Sequence, residues 1–319
     1  MLNIYSRSPA LPTNNLVSPA ADGARILWID LIDPTEQERL RAAELIGMPL
    51  PTREETSAIE LSSRLRSTQG GLRLNIPSFV RTDGAKGPIT PLGFVLTPTL
   101  LATVRYAEAR SFDQVAAAIS KPGAPQSAVE VFVELIESIV GVGADHIESV
   151  AENMSKLSRV VFVDRRSHHR LLRDALFDVG AMQLQLSQIR LAVLGLARII
   201  SYLCENAPAW IDASLHGRFT SALADIGSLK EFEQQLDERL QFLLDAVLGF
   251  INNDQNDIIR VLTIVSVATV PPMILAGIWG MNFKSIPEYN WEHGYAFAWT
   301  MILLSMVIPL IGFRWKRWL

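Results

Sequence analysis

Residues 258–283, IIRVLTIVSVATVPPMILAGIWGMNF, make one apolar segment that ends in Trp279-Gly280-Met281-Asn282-Phe283. No charged side chain occurs from Val261 to Phe283, a run of 23 residues. At a rise of about 1.5 Å per residue, a helix of this length crosses the hydrocarbon core of a bilayer. A second uncharged apolar run, from Tyr295 to Phe313, follows after a short polar loop. Two closely spaced spans at the end of the chain predict a membrane protein.

The charge is distributed unevenly along the chain. From Ile258 onward there are five Lys or Arg residues and two acidic residues, a net charge of +3. The whole chain of 319 residues has a formal net charge of −4, which leaves −7 for residues 1–257. An acidic soluble part disfavours nucleic acid as a partner and is compatible with cations.

Both ends of the chain indicate a cytoplasmic location. Residues 1–5, MLNIY, lack the basic region and apolar core of a secretory signal. The one cysteine, Cys204, excludes an internal disulfide and fits a reducing compartment. Two spans return the chain to the side on which it starts, so we expect both termini in the cytoplasm and the protein in a bacterial cell (inner) membrane. The tail, residues 314–319, is basic and carries Trp, as the positive-inside rule and the interfacial aromatic belt require.

The N-terminal part predicts a small α/β domain over residues 1–108. Apolar residues alternate with polar ones in short runs that Gly and Pro separate, the pattern of strands and hairpins. A helix is bounded by an early acidic turn and by Gly47. The predicted elements are a strand at 26–31, a helix at 35–46, and hairpins at 64–76 and 92–105.

Long helices are predicted for residues 109–257, over 126–161, 171–204 and 213–260. No Pro occurs from Ile211 to Val270, so the last helix should enter the first span as a stalk of roughly 55–60 residues, or ~85 Å. Its apolar residues recur every three or four positions, which favours identical neighbours in a homo-oligomer. The alternative is an amphipathic helix packed on its own domain. The seam consists of Phe232, Leu236, Leu240, Leu243, Val247, Phe250 or Ile251, Ile258 and Leu262.

A candidate pore face follows from helical spacing in the first span. Its ends carry side-chain amides, its middle is apolar, and it has no Asp or Glu. The two amides are separated by 26 residues, or ~39 Å, which matches a membrane with its interfaces. The alternative is a stripe that merely packs against neighbouring helices. The pore stripe consists of Asn256, Ile259, Leu262, Ser266, Val270, Met273, Gly277 and Asn282.

The residue types of the pore stripe suit a hydrated divalent cation. Mg²⁺ gives up its water reluctantly, and neutral amide oxygens accept hydrogen bonds from its hydration shell. A carboxylate ring would bind more tightly and slow release, whereas rings of Leu262 and Val270 could gate by dewetting. Two spans of one subunit cannot enclose a water-filled path, so a pore requires several copies.

Other features of the sequence add little chemistry. Pro271-Pro272 predict a bend or a packing site, because they free the carbonyls of Val267 and Ala268. The outer-loop acids, such as Glu288, could concentrate cations or could simply be solvated. Neither a metal-ligand spacing of His, nor a phosphate-binding loop, nor a catalytic constellation is present, so we expect no enzyme activity, no ATP drive and no cofactor beyond the ion. The membrane potential would then drive uptake, at about 4.6 kcal/mol per 100 mV for a divalent ion.

The sequence resembles the CorA family of magnesium transporters. The resemblance rests on Gly280-Met281-Asn282-Phe283 after an apolar span, on Ile286-Pro287-Glu288, and on the basic end that closes with Trp318-Leu319. Trp28-Ile29-Asp30-Leu31 resembles the family's N-terminal opening, and Gly249-Phe250-Ile251-Asn252 its entry into the membrane. The similarity therefore covers nearly the whole chain.

The resemblance implies a homopentameric funnel that conducts Mg²⁺ and also Co²⁺ and Ni²⁺, and that closes when cytoplasmic metal binds. Its partners would be further copies of itself and membrane lipid. Carried over by motif, Gly280, Met281 and Asn282 form the outer selectivity ring, where Asn282 holds hydrated Mg²⁺ through water. Asn256 forms the inner polar ring, Leu262 and Val270 the gate, and Arg314, Lys316 and Arg317 a basic collar.

The chain departs from the family pattern at three positions. Trp279 stands where Tyr is usual, Val270 replaces a larger Met, and Lys284 replaces a common acid. The positions of regulatory metal sites do not transfer. Two alternatives stay open, a zinc or nickel transporter of the same superfamily and a membrane-tethered oligomeric sensor. The predicted layout is an α/β domain at 1–108, long helices at 109–257, spans at 258–280 and 295–313, an outer loop at 281–294 and a basic tail at 314–319.

Overall fold

The computed structural model describes residues 1–6, 26–57, 65–68, 70–79, 89–119, 121, 123–162, 169–282, 287–316 and 318. These residues form two compact units. The first consists of Met1–Arg165 and Ala175–Leu244, and the second of Arg166–Asp174 and Asp245–Leu319.

The described residues of the first unit form a mixed sheet of six strands. The strand order is β1-β2-β6-β5-β4-β3, in which β2 and β6 are parallel and every other pair is antiparallel. The predicted strand and both predicted hairpins are therefore confirmed. The first strand, β1, was not predicted. The strands are β1 (Leu2–Ser6), β2 (Ile26–Ile32), β3 (Leu65–Thr68), β4 (Gly71–Phe79), β5 (Ile89–Leu96) and β6 (Leu101–Arg105).

One face of the sheet is covered by helix α1 (Glu36–Ile46). The helix begins at a capping box of Thr35 and Glu38, and it ends at Gly47, whose φ of 73° is in the left-handed region that glycine tolerates. Because β-strand side chains alternate between the two faces of a sheet, every second residue of the central strands points at this helix, and these residues are apolar. The resulting core contains Ile29, Leu31, Ala42, Ile46, Leu50, Val95, Leu100, Ala102 and Val104.

The other face of the sheet is covered by helix α4 (Ala128–Phe162). The rings of Phe94 on β5 and Phe132 on α4 meet edge to face, with 5.2 Å between their centroids. The sheet is thus buried on both faces, as in an α/β domain. Two short helices, α2 (Arg53–Ser57) and α3 (Arg110–Ile119), join these elements.

A buried ion pair lies between the parallel strands β2 and β6. Arg105 Nη2 is 2.8 Å from Asp30 Oδ2, and the two side chains are 4% and 1% exposed. Asp30 Oδ1 also accepts a hydrogen bond from Thr103 Oγ1 at 2.8 Å, and Trp28 Nε1 donates to Thr103 Oγ1 at 2.9 Å. The charged groups therefore satisfy one another in a site that is closed to water.

Three further helices complete the described chain: α5 (His169–Asn206), α6 (His216–Trp279) and α7 (Gly294–Trp315). Helix α6 contains 64 residues and is ~96 Å long by helix rise. It continues through Pro271 and Pro272 without an interruption. The prediction that the stalk helix runs into the first span is confirmed.

The apolar seam of α6 divides into two parts. Leu236, Leu240, Leu243 and Val247 are buried within the protomer. For these four residues the interpretation that the seam meets identical neighbours is wrong, because the protomer itself covers them. The seam residues on either side, such as Phe232 and Ile258, are exposed.

Among the residues that the structure describes, three helical segments are long and apolar enough to cross a membrane: Leu171–Asn206, Ala213–Trp279 and Gly294–Trp315. In the first segment, half of the most apolar stretch of 18 residues is buried inside the protein. The buried share of the corresponding stretch is 6% in the second segment and 0% in the third. The apolar residues of α5, such as Leu186, Ile189 and Val193, therefore belong to the interior of the first unit. The C-terminal part of α6 and helix α7 instead present their apolar side chains outward.

Candidate permeation path

Within the second unit, one face of α6 is less exposed than the rest of the span. Ile264, Ala268, Pro271, Leu275 and Trp279 recur at helical spacing, and Ala268 is buried while the others are partly buried. Helix α7 has a matching row of partly buried residues, and the ring of its Phe297 meets that of Trp279 at 6.4 Å. We infer that these two rows face each other. The row on α7 consists of Ala298, Ile302, Ser305, Pro309 and Phe313.

The pore stripe lies on the opposite face of α6. Ser266 is two residues from both Ile264 and Ala268, and two residues turn a helix by about 200°. All the stripe residues on the helix are exposed in the protomer. A Cβ atom at Gly277 would meet nothing within 4 Å. The structure therefore brings the residues from Asn256 to Gly277 to one uncovered face, and their role in a pore stays a prediction.

Asn256 marks the N-terminal end of the stripe, where charged residues begin. Its side chain is exposed. The adjacent Asp257 pairs with Arg260 at 3.2 Å across one turn of α6, and both side chains are exposed. The nearest acid is thus engaged with a basic residue of its own helix.

The three motif residues lie at the C-terminal end of α6. The N–H of Gly280 donates to the carbonyl of Ala276 at 2.9 Å, and that of Met281 to Ile278 at 3.2 Å. These bonds continue the last turn beyond Trp279. Asn282 follows, and its side chain, like that of Met281, is exposed. Phe283 and Ile286 of the family resemblance, and Lys284, which departs from it, lie outside the described residues.

A tight turn brings the outer loop back to α7. Residues Pro287–Asn290 form a 3₁₀ turn, and the carbonyl of Glu288 accepts from the N–H of Trp291 at 3.3 Å. A Cβ atom at position 294 would overlap the Glu288 carbonyl oxygen, so this approach requires Gly294. The Glu288 side chain is partly buried. Its suggested effect on cation concentration stays a prediction.

Aromatic rings occur at both ends of the two apolar helices. Near the start of α7 Phe297 contacts Trp291, with 5.4 Å between the centroids. At the end of α7 Phe313 stacks on Trp318 at 5.6 Å. Aromatic residues of this kind are enriched at membrane interfaces. Arg314 and Lys316 of the predicted basic collar are exposed beside the Phe313–Trp318 pair, whereas Arg317 lies outside the described residues.

A polar network between α5 and α6 was not predicted. Glu233 is only 3% exposed, yet it binds Arg190, whose Nε is 3.0 Å from Oε1. Asp237 joins through Arg190 Nη2 at 3.2 Å, and Gln183 donates to Asp237 at 2.8 Å. The hydrogen bond to Glu233 raises the pKa of the Arg190 guanidinium above its ordinary value. The sequence contained one indication of this network, because Glu233 is an acid that lies one turn before Leu236 of the apolar seam.

No group of three or more His, Cys, Asp or Glu side chains suited to a metal ion occurs among the residues that the structure describes. The regulatory metal site expected from the family resemblance therefore stays unassigned.

Comparison with known proteins identifies one family over most of the chain. The family model described as CorA-like Mg²⁺ transporter protein matches residues 23–317. The magnesium transport protein CorA of Salmonella typhimurium is 30% identical over 294 residues, which are 92% of this chain and 92% of that protein.

Two solved structures share the fold. The complete structure of the CorA magnesium transporter from Methanocaldococcus jannaschii matches with a TM-score of 0.73 at 17% identity, and 95% of each chain is covered. The ZntB cytoplasmic domain from Vibrio parahaemolyticus matches with a TM-score of 0.60 at 14% identity, over 80% of this chain and all of that one. From the family model and the relative at 30% identity, this chain belongs to the CorA-like Mg²⁺ transporter family.

Proposed function

We propose that this chain assembles into a homopentameric channel that conducts Mg²⁺ into the cell. The observation that carries the proposal is the uncovered face of α6. It carries the exposed Asn256 amide, has no acid from there to Gly277, and lies opposite the face that packs on α7. The exposed Asn282 amide follows just beyond the end of α6. Transport of Mg²⁺ agrees with the family and with the function named for the Salmonella relative.

Assembly follows from the number of available helices. In the described part of the chain, only α6 and α7 have a long apolar stretch whose side chains are exposed. Two helices cannot surround a water-filled path. Several copies with α6 innermost would place Asn256, Leu262, Val270 and Asn282 in successive rings. The number five rests on the family.

The ion would pass in hydrated form. The Asn282 amide can accept hydrogen bonds from water that is bound to Mg²⁺, and the exposed position at the end of α6 leaves room for it. Co²⁺ and Ni²⁺ are the other ions that we propose for this path. No bound cofactor and no catalytic step are part of the proposal.

Direction and regulation follow from topology. We place both termini in the cytoplasm, so that the basic residues Arg314, Lys316 and Arg317 lie at the inner surface. An inside-negative potential then draws the divalent ion inward. Cytoplasmic metal bound to the acidic domain, with its net charge of −7, would close the channel.

A zinc or nickel transporter is the second candidate. The likeness to the ZntB cytoplasmic domain favours it only at the level of fold, because the identity is 14%. A membrane-tethered sensor is the third candidate, and it differs in a testable respect. A helix that serves only as a membrane tether does not require an amide at position 282. Asn282→Ala would then leave the protein's function unchanged.

The test is Mg²⁺ uptake into proteoliposomes at an imposed inside-negative potential. Wild type is compared with Asn282→Ala and with Asn290→Ala, which removes an exposed amide from the same outer loop. We expect uptake by wild type and Asn290→Ala and a loss of uptake for Asn282→Ala. Uptake of Zn²⁺ but not Mg²⁺ would support the second candidate. Absence of uptake for Mg²⁺, Co²⁺, Ni²⁺ and Zn²⁺ would refute transport.

A further inference from the structure

The hydroxyl groups of the two apolar helices differ in their hydrogen bonding. The structure describes five Ser and Thr residues between positions 258 and 315. Four of them donate to a carbonyl of their own helix. These are Thr263 to Ile259, Thr269 to Val265, Thr300 to Ala296 and Ser305 to Ile302, at 2.7 to 2.8 Å.

Ser266 is the exception. Within the described part of the chain its Oγ has no hydrogen-bond partner, although Thr263 and Thr269 lie one turn away on either side. An unpartnered hydroxyl in hydrocarbon costs free energy, which is why membrane helices bond their hydroxyl groups internally. This arrangement leaves the Ser266 hydroxyl available to a partner from outside its own protomer.

The position of Ser266 limits what that partner is. It lies opposite Ile264 and Ala268, the residues of α6 that are turned toward α7. It also lies four residues, or ~6 Å, from each of the two predicted gate residues, Leu262 and Val270. When α6 lines the path, this face is turned toward the path, and its neighbours are water and the ion.

We infer that Ser266 forms a ring of hydroxyl groups that binds the hydrated divalent cation between the two apolar gate rings. This inference rests on the proposed channel function. A hydroxyl accepts a hydrogen bond from metal-bound water and donates one to free water, so it holds the hydrated ion without removing its shell. The apolar stretch between Leu262 and Val270 is ~12 Å long, and the Ser266 ring divides it into two shorter stretches that wet more easily.

The first test compares Mg²⁺ uptake by Ser266→Ala with uptake by Thr269→Val. Each variant removes one hydroxyl from the same helix at little change in volume, but the Thr269 hydroxyl is already bonded to Val265. We expect Ser266→Ala to slow uptake about threefold to tenfold, the effect of one lost hydrogen bond, and Thr269→Val to stay within about twofold of wild type. Equal rates for the two variants, with wild type active, would overturn the inference and leave the channel function intact.

The second test measures access of water to position 266 and does not depend on transport. Cysteines are placed at positions 266 and 275 after the one native cysteine is replaced by Cys204→Ser. A membrane-impermeant cationic methanethiosulfonate reagent should modify Ser266→Cys in Mg²⁺-free solution and should be slowed by added Mg²⁺. Leu275→Cys, on the face turned toward α7, should resist it. Resistance of both cysteines would refute the inference, and a wild type without uptake would refute the channel itself.

Discussion

The Asp30–Arg105 pair allows a stability prediction with a defined size. Replacing Asp30 by Ala leaves the Arg105 guanidinium in a site that is closed to water, without its counter-charge. Thr103 Oγ1 also loses its acceptor, whereas Arg105 still has the ring of Phe112, 4.7 Å from its Cζ, and the Ala107 carbonyl. Removal of one partner from a buried pair typically costs about 3–5 kcal/mol.

That loss is a large share of the stability of a domain, which is roughly 5–15 kcal/mol. It corresponds to a decrease in Tm on the order of 10 °C for a unit of this size. The double variant Asp30→Ala with Arg105→Leu removes the stranded charge as well. Because apolar replacements of a buried pair are often close to neutral, the double variant should recover most of the lost Tm.

The assay is thermal unfolding of the full chain in detergent, followed by circular dichroism. Glu36→Gln is the matched control, because it removes a carboxylate that is 66% exposed from its ion pair with Arg39 at the surface of α1. Its Tm should equal that of wild type, since exposed pairs contribute little. A decrease of less than about 3 °C for Asp30→Ala would refute the reasoning, because it corresponds to only about 1 kcal/mol. If the double variant were less stable than Asp30→Ala, the unpaired charge of Arg105 could not be the cause of the destabilisation.

Two further substitutions test the packing of the long helices and the outer loop. Leu240→Ala opens a cavity in the protomer and should destabilise it by about 2–5 kcal/mol, measured by the same thermal unfolding, whereas the exposed Leu248→Ala should have little effect. Equal decreases in Tm would contradict the burial of Leu240 in its own protomer. Gly294→Ala should displace the outer loop, because its Cβ overlaps the Glu288 carbonyl, and should slow Mg²⁺ uptake, whereas Gly312→Ala in the open part of α7 should not. Wild-type uptake by Gly294→Ala would show that the loop tolerates a shift.

The long helix was predictable because its signals are local. The absence of Pro between Ile211 and Val270, together with the helical spacing of the apolar residues, predicted one continuous helix. Gly280 indicated where that helix ends. The hairpins were predictable for the same reason, because alternation and turn residues lie within a few positions of one another.

The features that escaped prediction depend on distant parts of the chain. Strand β1 is five residues long, and its pairing with β2 bridges a long stretch of intervening sequence. The period of α6 indicated that Leu240 is covered but not by which surface. For the burial of Glu233 the sequence offered only its position beside the apolar seam, because its partner Arg190 is 43 residues away.

The candidate site was partly predictable. Spacing alone selected the stripe from Asn256 to Gly277, but any membrane helix has several such stripes. The packed row that contains Ala268 and Trp279 supplies the missing information, because it shows which face α7 covers. The distinction between Ser266 and the two neighbouring Thr residues needed coordinates, since it depends on the direction of single hydroxyl groups.

The placement of the aromatic residues has an optical consequence. Five of the seven tryptophans, Trp279, Trp291, Trp299, Trp315 and Trp318, lie on or beside the apolar helices. Trp28 is buried in the sheet of the first unit, where it stacks on Tyr5 at 4.5 Å, and Trp210 lies just before α6. A lipid-soluble quencher reaches only the first group. The fluorescence that remains in the presence of the quencher therefore comes from Trp28 and Trp210. A change in this fluorescence when metal is added reports on the first unit without any added label.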